Sequence, residues 1–450
     1  PRSRSATARI PTSIRRRSMG SPDPASLGAE MYELVRELYP ICRSITGDGV
    51  RETLRILKRR IPIELREVPS GTEVLDWTVP REWNIRDAWI KDASGERIVD
   101  FRASNLHVVN YSAPVRRTLT LAELSPHLHT LPDKPDLVPY RTSYYDETWG
   151  FCLSHRQREA MPDGTYEVCI DSTLEPGSLT YGELVLPGES DREILISTHV
   201  CHPSLCDDNL SGVAVSVLLA RELAARAKRR YTIRFLYAPG TIGAITWLAE
   251  NREGAKRIRH GLTLTCLGDA HPFTYKRTVG GDAIVDRAAK HVLQTSGRAH
   301  QIIDFFPYGY DERQYNSPGF RIAVGSLMRG RHGQFPEYHT SGDNLEFVST
   351  ARMLESFKIV RDVVGAIDGD ATYENLAPYG EPQLGKRGLY RALGGTSIPG
   401  LQMAMLWVLN LSDGRHSLLD IAMRAGLEFR AVRKAADLLA QHDLLAETRA

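Results

Sequence analysis

Residues 194–212, ILISTHVCHPSLCDDNLSG, crowd two histidines, two cysteines and two aspartates between an apolar run and a small-residue helix start. Imidazole and carboxylate together suit a divalent cation such as zinc, and one carboxylate can bridge two such ions. The same residues also fit a plain polar loop. A histidine at a strand end is commonly structural, and an aspartate before a helix is commonly an N-cap. Position is what favours chemistry. REILIST (192–198) has the composition of a buried strand, so His199 falls at its C-terminal edge, where open α/β sheets bind ligands. Asp207 and Asp208 then lie in the loop before a helix beginning near Ser211 and Gly212.

Two further segments carry similar groups. In FPEYHTSGDNLEF (335–347), His339 precedes a turn and Asp343 comes four positions later, which alone would be a capped helix start beside a histidine. In LTCLGDAHP, Asp269 sits just past another apolar strand, again on the ligand-binding edge.

The elements that must position these groups alternate in type. From about residue 181 the chain runs strand, helix, strand, with apolar runs such as REILIST and YTIRFLYA separated by helical segments such as SGVAVSVLLARELAARAK and DAIVDRAAKHVLQTSG. That pattern predicts an α/β sheet covered on both faces, closed by a helix over VSTARMLESFKIVRDVVGAI. Two amphipathic helices over 26–66 belong with it, and residues 67–180, rich in Thr, Val, Tyr, Trp and Pro, read as an inserted β-rich domain. Trp77, Trp83 and Trp89 in that insertion are expected in its core. Residues 373–400 are rich in Pro and Gly and read as a linker. Residues 401–450 then form three short helices in a winged-helix-like order, taken as a packing or dimerisation module and hence compatible with a homo-oligomer.

Charged residues make up 25% of the 450 and the net charge is +2, which argues against a nucleic-acid or membrane surface. The first 25 residues carry six arginines and no acid before Asp23, a composition expected to be a disordered basic leader rather than a secretory signal. No apolar run is long enough to span a bilayer. Six scattered cysteines read as reduced thiols and place the chain in the cytoplasm.

Taken jointly, THVCHPSLCDDNLSG, the strand ending LGD, and YHTSGDNLEF resemble the zinc aminopeptidase and glutaminyl-cyclase superfamily. The closer resemblance is to aminopeptidase-like proteins of unknown function, some associated with polysaccharide or secondary-metabolite biosynthesis, through GTEVLDWTVPREWNIRDAWI (71–90), CHPS, DERQY, SPGF and PEYHTSGDNLEF. It covers roughly residues 28–370 and implies a three-layer zinc-peptidase-like mixed sheet flanked by helices. It also implies one or two zinc ions. His199 is then the first ligand, Asp208 the bridging carboxylate, His339 the last histidine and Asp269 the third carboxylate. His202 becomes an extra ligand, because Cys201 falls where the superfamily has a supporting Asp. Asp311, Arg313, Gln314 and Tyr338 would line the substrate pocket, with Arg313 either gripping a carboxylate bidentately or forming a loop salt bridge.

One departure bears on activity. Where active members of the superfamily carry a general-base Glu and a ligand Glu, this chain has Gly240 and Thr241. Losing a positioned base removes roughly 10²–10⁴-fold in rate, so Glu337, Glu312 or Asp207 would have to replace it. Two readings follow from the resemblance: a metal-dependent hydrolase acting on an amide of a small peptide or aminoacylated metabolite, or a catalytically inactive relative kept for binding or assembly. A nucleic-acid regulator built on the C-terminal module is disfavoured by the near-neutral charge.

Overall fold

The computed structural model describes residues 24–389 and 399–448. All but the last two residues of the expected basic leader lie outside the described residues, as do residues 390–398 of the expected linker.

The central element is an eight-stranded sheet. Its spatial order is Glu64–Pro69, Ser178–Leu186, Tyr231–Ala238, Ser190–His199, Ile258–Leu264, Val324–Met328, Phe273–Lys276 and His300–Ile303. The four strands from Tyr231–Ala238 to Val324–Met328 run parallel, with antiparallel pairings towards both edges. Side chains alternate between two buried faces. Ile194, Ile196, Ile233 and Phe235 join one core, while Leu195, Leu236 and Ala238 join the other. Burial on both sides is why these strands read as unbroken apolar runs.

Helices Pro24–Leu38, Gly212–Ala225, Ile284–Thr295 and Thr350–Gly369 cover the first face. Gly212–Ala225 is buried along almost its whole length, because it lies between the sheet and the outer helices. Ile242–Glu250, with Trp247 fully buried, covers the second face. The fold is thus the helix-flanked mixed sheet that the sequence predicts.

Residues between the first two strands build a separate four-stranded antiparallel sheet, ordered Arg97–Asp100, Glu82–Lys91, Thr165–Glu175 and Val115–Thr120. It has its own core around Ala88, Ile90, Tyr166, Val168 and Ile170. The flanking strands Glu64–Pro69 and Ser178–Leu186 belong to the central sheet and cross the boundaries at 66/67 and 180/181 read from composition. Trp83 and Trp89 are buried as expected, but Trp77 is 45% exposed and rests against Tyr145.

The C-terminal module contains helices Pro399–Leu411, Leu418–Ala425 and Phe429–Gln441. It also has a three-stranded sheet ordered Asp413–Ser417, Thr372–Asn375 and Leu445–Glu447. Its middle strand, Thr372–Asn375, therefore spans the start of the segment that composition marks as linker from residue 373. A strand of this length leaves no periodic signal beside so many prolines and glycines. Arg287 pairs with Asp420, Arg230 with Glu447 at 2.6 Å, and Arg433 Nη1 donates to the Gly369 carbonyl at 2.9 Å, tying the module to the core. Among the described residues, no helix is long and apolar enough to cross a membrane.

Strand Ile258–Leu264 also carries a buried histidine whose Nδ1 has no partner. Burial lowers the His260 pKa to about 4, from an ordinary value of 6.5. The unfolded chain therefore binds this proton more readily. The stability that neutral His260 retains is complete above pH 6.5 and lost as the pH falls towards 4, an expected loss of about 3 kcal/mol. Denaturant titration across that window should show a shallower acid decline in His260→Leu than in the parent.

Candidate metal centre

Strand Ser190–His199 pairs with Tyr231–Ala238 so that His199 lies opposite Ala238, at the shared C-terminal edge. The chain then passes through Val200–Leu205 into an irregular turn, Cys206–Ser211, in which Asp208 and Asn209 leave the helical region of backbone space. The turn is held from a distant segment. The Asp343 carboxylate accepts the N–H groups of Cys206, Asp207 and Asp208 at 3.1, 2.6 and 2.9 Å. Burial pushes the Asp343 pKa up to about 7, and those N–H donors oppose the shift.

So fixed, the Asp208 carboxylate is fully buried among imidazoles. His199 Nε2 lies 2.8 Å from Oδ1, His339 Nε2 lies 3.0 Å from Oδ2, and His202 Nδ1 lies 3.8 Å from Oδ1. Burial alone would raise the pKa of Asp208; His202, His199 and His339 overcome it and hold the carboxylate well below its usual range. Burial pushes His202 well below its ordinary value, and its Nδ1 has no hydrogen-bond partner. An orphaned, neutral imidazole nitrogen beside an ionised carboxylate and another imidazole is the donor set that a borderline divalent cation takes up. The ligand atoms of His199, His202 and Asp208 all lie within 4.8 Å of one another. The donor set therefore fits zinc.

The histidines are positioned by aromatic rings. Tyr310 lies over His199 with centroids 3.8 Å apart, and Tyr338 stacks on His339 at 4.0 Å. Tyr140, from the insertion, presents its edge geometry to both His202 and His339 at 5.1 Å. Its N–H also donates to the His339 carbonyl at 2.8 Å, bracing a residue with φ of +53°. Buried Arg43 holds the His202 carbonyl through Nε at 2.8 Å.

Other expected site residues are engaged elsewhere. Asp269 does not join the cluster: its Oδ1 faces His271 Nδ1 at 2.9 Å and its Oδ2 accepts the Gly330 N–H at 2.9 Å. Asp207 turns away from the histidines to accept the Gly268 N–H at 2.7 Å. Burial, with the Asp269 charge next, raises its pKa well above the carboxylate range. Glu312 is buried in an ion pair with Lys276 at 2.6 Å and accepts the Tyr310 N–H, which occupies it as a base. Asp311 is buried with an unpartnered Oδ1, and burial followed by Glu312 raises its pKa. Arg313 and Gln314 are half-buried beside it. Arg313 Nε is buried and has no hydrogen-bond partner among the described residues. Glu337 is half-buried, its Cγ facing Gly342, and makes no side-chain hydrogen bond or ion pair among the described residues.

Gly240 has a specific reason to be glycine. A Cβ placed there would stand 1.8 Å from Tyr310 Cε1, so the phenol ring fills the space of a side chain at 240. The Tyr310 hydroxyl meets Cys201 Sγ at 3.2 Å, and burial keeps that phenol protonated well beyond its ordinary range. Two groups escaped the sequence reading. Cys266 and His332 lie close to Asp208, each just past the C-terminal end of a parallel strand, which was the one available signal.

A family model described as a domain of unknown function, DUF4910, matches residues 32–370. The chain belongs to that family. A winged helix-turn-helix model matches residues 371–447. A Clostridium acetobutylicum protein described as "Putative polysaccharide biosynthesis protein with aminopeptidase-like domain" is 52% identical over 419 residues, covering 93% of this chain and 96% of its own. A crystal structure from that organism, described as a "putative peptidase", aligns with TM-score 0.89 at 50% identity over 94% of this chain and 97% of its own. A zinc aminopeptidase from Bacillus subtilis aligns with TM-score 0.54 at 14% identity, over 76% of this chain and 95% of its own, and shares the fold. The aminopeptidase-like family, its fold and the winged-helix tail are thus what the motifs lead one to expect.

Proposed function

We propose that this chain is a zinc-dependent hydrolase of aminopeptidase type, cleaving an amide bond in a small peptide or aminoacylated metabolite. The observation that carries this reading is the ring of three imidazoles around one buried, ionised carboxylate. His199, Asp208 and His339 would hold the ion, and His202 would bring its orphan Nδ1 to it. When bound, the ion supplies Lewis-acid polarisation of the scissile carbonyl and acidifies water.

The remaining tasks fall to the chain. Asp343 fixes the backbone of Asp208, and Tyr310 and Tyr338 fix the planes of His199 and His339. Glu337, two residues before His339 and free of side-chain partners among the described residues, is the carboxylate we assign to proton transfer. Asp311, Arg313 and Gln314 would contact the substrate, as would the half-buried face of Tyr338. The name of the Clostridium relative makes polysaccharide biosynthesis the setting in which to look for an aminoacylated substrate. Six free thiols fit a reducing compartment, so the cytoplasm is the location we propose.

A second reading has its own observation. The Tyr310 ring occupies the space a side chain at 240 would need, which favours a metal-binding scaffold without turnover. Metal analysis separates the two. The purified chain is expected to retain at least about one zinc per chain, and the ion held by the histidines should be lost in His199→Ala and Asp208→Ala. It should release amino acids from aminoacyl amides in a chelator-sensitive manner. Glu337→Gln is expected to keep the zinc and to lower the rate by roughly 10²-fold or more. Stoichiometric zinc with no turnover on a broad amide panel would favour the scaffold, and absence of metal would end the hydrolase reading.

A further inference from the structure

We infer that Asp208, Cys266 and His332 form a second, thiolate-containing site for a borderline-soft divalent transition-metal ion, sharing Asp208 with the histidine site. This rests on the preceding reading, since Asp208 serves both.

The ligand atoms of Asp208, Cys266 and His332 all lie within 4.8 Å of one another. They come from three separate segments. Cys266 follows strand Ile258–Leu264 and His332 follows Val324–Met328, strands that pair in parallel and so end on one edge. Cys266 is fully buried and has φ of +48°, a conformation that side-chain-bearing residues rarely adopt. The neighbouring strand end holds that conformation, because the Arg329 N–H donates to the Cys266 carbonyl at 2.8 Å. Thr265 Oγ1 bridges the other two groups, 3.5 Å from Cys266 Sγ and 3.2 Å from His332 Nε2. A hydroxyl so placed orients both as an outer partner.

Softness distinguishes the two sites. Imidazoles and a carboxylate accept many divalent ions, whereas a thiolate selects zinc and similar ions over magnesium or manganese. Three protein ligands leave one coordination position open, as in reactive rather than structural sites. A cavity of about 60 Å³ lined by Lys276, Phe306 and Arg331 touches the cluster at His332. Binding forms a sulfur–metal bond and releases the Cys266 thiol proton to solvent.

The test is a cobalt titration of the full chain after chelator stripping. Two binding increments are expected. One depends on His199 and lacks thiolate absorption. The other brings a near-ultraviolet thiolate-to-cobalt charge-transfer band. That band should vanish in Cys266→Ser and persist in Cys201→Ser. His332→Ala removes a half-buried side chain and should weaken that increment at least about tenfold, which keeps the test decisive should Cys266→Ser fold poorly. A His199-dependent increment with no thiolate band overturns this inference and leaves the hydrolase reading standing. A band that follows Cys201 also overturns it. No cobalt binding at all overturns both.

Discussion

Asp343→Ala is expected to abolish metal binding and to destabilise the fold by about 2–6 kcal/mol, more than any single ligand replacement. The carboxylate accepts three consecutive buried N–H groups in the turn that carries Asp208. The Cys206 N–H keeps the Asp343 main-chain carbonyl at 3.2 Å, so two buried donors lose their partner, at about 1–3 kcal/mol each. Removing Asp208 itself deletes a ligand, but removing Asp343 deletes the turn conformation that presents it. Asp343→Asn keeps one oxygen acceptor and should fall between the two. Denaturant unfolding with metal analysis on the same samples checks this. A parent-like midpoint in Asp343→Ala would show that the turn holds its shape without it.

The second large effect concerns Gly240. In Gly240→Glu the new side chain meets the Tyr310 ring at once, and overpacking of this kind costs about 1–3 kcal/mol. Displacing Tyr310 also uncovers His199. The single variant should therefore be less stable and no more active, although it adds a carboxylate. Gly240→Glu combined with Tyr310→Gly removes the clash at the cost of the ring over His199, so amide hydrolysis and stability should both exceed those of Gly240→Glu alone. The coupling between the two substitutions is the decisive quantity. Additive effects on stability would mean that the ring and position 240 do not compete for space.

The parts of this protein that were legible in sequence are those whose signal is local. Apolar runs of strand length marked the central sheet, and the histidine and aspartate at the end of one run marked the site, because a strand end and a helix start fix where such groups project. His339 was legible through its short surrounding motif. Partners remote in sequence were not. Nothing near Glu312 announces that Lys276 neutralises it, and nothing near Asp269 shows that Gly330 and His271 engage its oxygens. Asp343 looked like the cap of a following helix, but Ser349 caps that helix and Asp343 anchors the distant turn. Cys266 and His332 are single residues without a pattern. Their meeting depends on strand order, which periodicity does not encode.

The contacts of Tyr140 limit how a substrate can arrive. Its ring touches two of the three imidazoles, and its main chain is bonded to the residue bearing one of them. The inserted domain therefore cannot swing aside as a door without disturbing the histidine cluster, and it stands as a fixed wall. An approach remains beside His332, where Phe306 and Tyr308 stand exposed and line a cavity with it. Lengthening or trimming the loop that bears them should change which molecules enter while leaving the cage intact.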